Sequence, residues 1–307
     1  HVMARRQRQM CIRDRMNVEQ PLITPQLQAQ LQDWLAEDLG RGDLTAPALS
    51  GRRAQATWIA KQEGVFCGGS LALQLFRLLD PKLEAECLVP DGAAVQSGEI
   101  LLRLDGQATA LVGAERTALN LAMRLSGIST ATAALVRELE GSGVRLADTR
   151  KTTPGLRALE KYAVRMGGGV NHRLGLDDAA MLKENHLAWA GGIEAAITAV
   201  RASAPWPARV IVEAETEQEA SKAVMAGADA VLLDEFTPEQ LSSLVPRLRQ
   251  LAVERTASGA VILEASGIQP GDLPAYAATG IDLISTSAPV TRSRWLDLSM
   301  RFAPAGR

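Results

Sequence analysis

Six short apolar runs, each closing on or just before a polar residue, recur through the second half of this sequence, and they constrain the fold more than anything else in it. RLAD ends at Asp148, AAML precedes Lys183, VIVE ends at Glu213, VLLD ends at Asp234, VILE ends at Glu264 and IDLIS ends at Ser285. Helical patterns lie between most of them, as in 193–200, 220–225 and 241–251. Separations of about 20 to 35 residues are those of repeated βα units with buried parallel strands. Six such units predict a barrel-like sheet, and in barrels of this kind the carboxyl ends of the strands face the active site. One polar residue at a strand boundary is expected by chance. Six in the same place in the pattern predict a functional face.

The first half reads differently. Leu27, Leu31, Trp34 and Leu35 recur at helical spacing between Thr24 and Leu39, and Gly40 should end that helix. From Gln55 to Leu104 short strands alternate with turn signals, AQATWIA being the clearest strand, and 71–79 is a short amphipathic helix between them. A longer helix follows, with Leu111, Ala114, Ala118, Leu121, Ala122 and Leu125 on one face. Arg116 and Asn120 share a different face, which periodicity alone reads as solvated.

Composition excludes more than it selects. A net charge of −2 gives no reason to expect a nucleic-acid partner. No run approaches the roughly 18 apolar residues that would span a bilayer, so no membrane role is expected. Cys11, Cys67 and Cys87 form no CxxC pair or disulfide framework, which points to a reducing, cytoplasmic location and away from zinc. Residues 1–15 carry five arginines and no long apolar stretch. With Met16 as a natural start, they are expected to be a non-native leader outside the fold.

Between Arg145 and Lys183 eight basic side chains face four acids, Asp148, Glu160, Asp177 and Asp178, giving net +4 in a slightly acidic protein. Arg157, Lys161 and Arg165, at i, i+4 and i+8, read as one solvated helix face. Arg150-Lys151, His172-Arg173 after three glycines, and Lys183 stand at predicted strand ends and would form a cationic pocket. Arg forks suit carboxylate or phosphate and Lys supplies a point charge, so the ligand should be a small polyanion. Glu213 and Asp234, on successive strand ends, suit Mg²⁺ on phosphate oxygens, a cationic ribosyl centre, or helix N-caps. Ser266-Gly267 and the run Ser285-Thr286-Ser287-Ala288 would let backbone N–H groups approach a phosphate, unless they are simply turns.

The run DTRKTTPGLR at 148–157, continuing as LEKYAVRMGGGVNHR to Arg173, resembles the quinolinate phosphoribosyltransferase family. EDLGRGDLT at 37–45, ERTALNLAMRLSGIST at 115–130, MLKENH at 181–186, VLLDEF at 231–236 and EASG at 264–267 extend the resemblance along nearly the whole chain from Leu35. It implies an N-terminal α/β sandwich at 16–125 and an open α/β barrel of six βα units at 126–293, with 294–307 packing back on the N-terminal domain. It also implies a homodimer, or a hexamer built from dimers, with shared active sites. The substrates would be quinolinate and phosphoribosyl pyrophosphate, and the products nicotinate mononucleotide, pyrophosphate and carbon dioxide, a step of NAD biosynthesis.

The resemblance carries roles over residue by residue. Arg150, His172, Arg173 and Lys183 would hold the two carboxylates of quinolinate, with Thr149 among the substrate contacts and Arg116 reaching into a neighbouring subunit's site. Lys151, Glu213 and Asp234 would be the catalytic group on phosphoribosyl pyrophosphate, the two acids binding its Mg²⁺ directly or through water. Ser266, Gly267, Ser287 and Ala288 would cradle the 5′-phosphate. This chain departs from the family pattern in three places. Ile211 replaces the first acid of a VEVE strand. Glu235 stands where Asn is common. Ile268 and Ser287 stand where the phosphate loops usually have glycine. A nicotinate-specific relative would need fewer cations than this cluster provides, and a catalytically silent nucleotide sensor would be expected to lack Lys151 or a metal acid.

Overall fold

The computed structural model describes residues 21, 23–255, 261–269 and 271–303, so the expected leader at 1–15 lies outside the described residues. The chain forms two compact units, one running up to Thr130 and resuming at Arg294, the other spanning Ala131–Ser293.

In the first unit the helix Pro25–Leu39 begins where Thr24 Oγ1 accepts the Leu27 N–H at 3.1 Å, and it stops at Gly40, whose φ of 52° favours glycine. Strands β1 (Arg53–Ala60), β3 (Glu84–Cys87), β5 (Ile100–Gln107) and β12 (Leu298–Phe302) form an antiparallel sheet in the order β12-β1-β5-β3. The short strands β2 (Gly64–Val65) and β4 (Ala94–Val95) pair separately. Alternation in β1 buries Ala56, Trp58 and Ala60, and the Trp58 indole meets the ring of Phe76, from the helix Gly69–Leu79, edge-on at 6.1 Å.

The helix Ala108–Glu138 buries every residue of the face that its periodicity predicts, from Leu111 to Leu125. By length and composition it could cross a membrane, with a mean hydropathy of 1.2. Half of that stretch is buried inside the protein, as in a core helix. Arg116 and Asn120 are exposed.

The second unit is an open barrel. Six parallel strands, β6 (Arg145–Ala147), β7 (Ala180–Leu182), β8 (Val210–Ala214), β9 (Ala230–Asp234), β10 (Ile262–Ser266) and β11 (Leu283–Ser285), lie in the order β6-β11-β10-β9-β8-β7. At least one helix follows each strand. Leu146, Val212, Ala214, Val231, Leu233, Leu263, Ala265 and Ile284 point one way and pack with Ala220, Leu241, Leu244 and Leu248 of the helices. The alternate residues point the other way, where Ile211, Ala230 and Leu232 form a small cluster with Met181 and Ile262. Register places Glu213 and Glu264 beside Leu232, and Ser266 beside Asp234. Along the inner face each of these strands therefore passes from apolar to polar in steps of two residues. Beyond β6, Val170 makes a single parallel bridge to Ala147. Gly169 permits this approach, because a Cβ there would lie 2.8 Å from Val164 and 3.3 Å from the Leu146 carbonyl oxygen.

Candidate active site

The polar ends of the inner face, with the loops after β6 and Val170, enclose a cavity of about 560 Å³ within the second unit. Thr149, Arg150, Lys151, His172, Arg173, Lys183, Glu213, Asp234, Ser266, Gly267, Ser287 and Ala288 all line it. Arg116 belongs to the first unit.

The cavity is bipolar. On the cationic side, burial and then the neighbouring Arg150 lower the pKa of Arg173, so two guanidiniums sit close enough to repel. Arg150 Nε is buried with no hydrogen-bond partner, while Arg173 Nη1 donates to the Ala179 carbonyl at 2.9 Å. Such a pair is stable only with an anion or solvent between its members. On the acidic side, Glu213, Asp234, Glu235 and Glu264 line the wall. Lys183 forms an ion pair with Glu213 between the two sides, and the Ser266 hydroxyl donates to Asp234.

Neither acid is a helix cap. Thr216 and Glu219 form the capping box of the helix Glu217–Met225. Before Pro238, Thr237 N donates to Gln240 Oε1 at 2.8 Å and Thr237 Oγ1 accepts from Gln240 N at 3.3 Å. Asp234 and Glu213 are thus left to the cavity.

The structure changes the reading of Lys161 and Glu264 and shows an unusual backbone at Glu235. Lys161 is not on a solvated face. It is fully buried and ion-paired with Asp148, which lies 13 positions earlier, just past β6 and beyond the reach of helical periodicity; Arg165 of the same row is exposed. Burial pushes Asp148 up and Lys161 down, and their mutual contact opposes both shifts. Glu264 is not at a strand end, because β10 runs on to Ser266, and the residue is 1% exposed on the inner face. Its Oε2 lies 3.1 Å from His172 Nε2, and its other oxygen is buried without a partner. His172 Nδ1 accepts the Arg173 N–H at 2.8 Å, so the proton of the neutral ring belongs on Nε2, facing Glu264. Glu235 adopts φ 58°, the one non-glycine residue at positive φ among the described residues, and its backbone N is 3.3 Å from where a Cβ on Gly267 would stand. Of these, Glu264 could have been suspected from VILE and EASG, since alternation puts it on the face of Ser266. Lys161 had no such signal.

Residues 43–126 match the model of the quinolinate phosphoribosyl transferase N-terminal domain, and 128–301 that of its C-terminal domain. The chain is 44% identical to the probable nicotinate-nucleotide pyrophosphorylase [carboxylating] of Synechocystis sp., over 88% of this chain and 90% of that protein. It is 36% identical to the human nicotinate-nucleotide pyrophosphorylase [carboxylating], over 91% of this chain and 93% of that one. The structure of the nicotinate-nucleotide pyrophosphorylase from Francisella tularensis superposes with a TM-score of 0.84 at 36% identity, covering 94% of this chain and all of that one.

Proposed function

The chain belongs to the quinolinate phosphoribosyl transferase family, and we propose how its barrel pocket performs that family's carboxylating pyrophosphorylase reaction. The reaction is a pentosyl transfer in NAD biosynthesis: quinolinate and phosphoribosyl pyrophosphate give nicotinate mononucleotide, pyrophosphate and carbon dioxide. The observation that carries the assignment of residues is the repelling pair Arg150 and Arg173 in one cavity, with a buried Arg150 nitrogen that lacks a partner. A dianion such as quinolinate relieves that repulsion and can take bidentate contacts from both forks. Lys183, freed from Glu213, supplies a third cation, and His172 shapes the wall beside them.

The ring nitrogen attacks the anomeric carbon while the carbon–oxygen bond to pyrophosphate breaks, through a transition state with oxocarbenium character. Lys151 neutralises charge on the departing group, and Glu213 and Asp234 face the cationic sugar. Gly267 lets backbone approach the 5′-phosphate beside Ser266, Ser287 and Ala288. Once the nitrogen is quaternary, the pyridinium accepts the electrons of the adjacent carbon–carboxylate bond. Carbon dioxide leaves and a proton from the medium takes its place. The donor set fits Mg²⁺, because Glu213 and Asp234 are oxygen donors that both line the cavity, each uses one oxygen in its contact with Lys183 or Ser266, and Mg²⁺ takes few protein ligands and keeps the rest for substrate and water. Held by Glu213 and Asp234, Mg²⁺ would supply charge neutralisation of the leaving group.

A homodimer with shared sites completes the reading. Arg116 is exposed, and so are the apolar side chains Leu174 at 52%, Leu176 at 74% and Trp189 at 85%, which suit burial against a second copy. The free thiols of Cys67 and Cys87 suit the cytoplasm. The direct test is incubation with quinolinate, phosphoribosyl pyrophosphate and Mg²⁺, following carbon dioxide and nicotinate mononucleotide. Asp234→Ala should weaken use of phosphoribosyl pyrophosphate and Mg²⁺ by about a hundredfold while leaving quinolinate binding largely intact. Equal loss of both ligands with the fold preserved would show instead that Asp234 shapes the whole pocket.

A further inference from the structure

Two consecutive charged residues of the helix Arg157–Met166 lie fully buried, and neither is among the residues lining the cavity. The Glu160 carboxylate accepts hydrogen bonds from Thr153 N and Thr153 Oγ1, each at 2.8 Å. Thr153 stands two residues beyond Lys151, so this contact ties down the loop that carries Arg150 and Lys151. The Lys161 ammonium pairs with Asp148, where that loop leaves β6, and donates to the His172 carbonyl at 3.0 Å. Asp148 in turn accepts from His172 N at 2.8 Å and from Asn171 Nδ2 at 2.6 Å. One turn of one helix therefore holds both loops that bear the repelling guanidiniums.

Burial raises the Asp148 pKa and lowers that of Lys161. A buried ion pair is weak evidence for stability, since well-packed apolar side chains often serve as well or better. Stability alone thus gives little reason for an acid and a base at these positions, whereas fixing two loops against the mutual repulsion of Arg150 and Arg173 does.

We propose that Glu160 and Lys161 are positioning residues that set the spacing of the Arg150–Lys151 and His172–Arg173 loops, and with it the pocket's fit to a ligand with two adjacent anionic groups. This rests on the reading of the pocket as the quinolinate site. The test uses the full chain with Lys161→Met, which fills the volume without the charge. The double variant Asp148→Asn/Lys161→Met also removes the stranded carboxylate and covers a single variant that fails to fold. Circular dichroism and Tm report folding, while titration calorimetry gives Kd for quinolinate and, separately, for phosphoribosyl pyrophosphate with Mg²⁺. Misplacement by about 1 Å can cost on the order of a hundredfold, so the quinolinate Kd should rise about tenfold or more, and the Kd for phosphoribosyl pyrophosphate, which draws only on Lys151 from these loops, by a clearly smaller factor of about threefold. Glu160→Gln should weaken quinolinate binding in the same direction by a smaller factor. A folded double variant that binds quinolinate as tightly as the wild type overturns the proposal. So does an equal loss for both ligands that tracks the fall in Tm. A wild type that binds no quinolinate overturns the pocket reading itself, which separates the two failures.

Discussion

The two faces of the six-stranded sheet are built from alternate residues of the same strands, yet they follow opposite rules. Outward, Val212, Val231, Leu233, Leu263 and Ile284 are fully buried against helices. Inward, the buried hydrophobic cluster is Ile211, Ala230 and Leu232, and the face then turns to Glu213, Asp234, Glu264 and Ser266. The outer face fills space with groups that need no partner. The inner face, with the loops above it, gathers charges that lack full compensation, Arg150 and Arg173 on those loops above all. One face should therefore set stability and the other chemistry, and substitutions on the two sides of the sheet should separate them.

The largest effect is expected inside. Arg173→Ala should lower kcat/KM for quinolinate on the order of a hundred- to a thousandfold, as deletion of one partner of a desolvated charge contact does. Its urea midpoint should hold or rise, because a repelling guanidinium is gone. A collapse in stability with unchanged kcat/KM would erase the distinction between the faces. On the outer face, Leu233→Ala should cost about 2–5 kcal/mol of unfolding free energy through the cavity it leaves. Measured at a temperature where the variant is folded, its kcat/KM should stay close to wild type. Large kinetic damage in the folded protein would mean that the outer core also sets catalytic geometry.

The proposed sharing of sites between subunits would extend the comparison to Arg116. Arg116→Ala and Lys183→Ala should each abolish most activity, and mixing the two proteins should restore about a quarter of wild-type activity if chains reassort randomly in a dimer. No recovery, with mixed dimers confirmed by native mass spectrometry, would place Arg116 outside a neighbour's site. The smallest expected effect is at Glu235, the non-glycine residue at φ 58° on the rim of the inner face. Glu235→Asn should raise stability by about 1 kcal/mol, since Asn tolerates the left-handed region better. A destabilised variant would show that the Glu235 side chain makes a contact worth more than its backbone strain.

Much of this was legible in the amino-acid order. The six apolar runs marked the six parallel strands, and the buried stripe from Leu111 to Leu125 was complete. Both signals are local, since alternation and helical periodicity are imposed by backbone geometry within a few residues. The cluster Arg150, Lys151, His172, Arg173 and Lys183 was recognisable for a related reason, because residues at strand ends of one parallel sheet converge wherever the strands do.

What the order of residues could not show is which charges are used up inside the protein. Lys161 falls in a row with Arg157 and Arg165 and reads as solvated until tertiary structure sets it against Asp148 and the His172 carbonyl. Glu264 closes an apolar run and reads as a strand end until β10 proves two residues longer and His172 arrives from 92 positions away. The sequence by itself determined the strands, their faces and the concentration of cations. Tertiary structure alone decided which of those charges are neutralised in the interior and which stay open to substrate, because the cost of burying a charge depends on partners that chain-local periodicity does not encode.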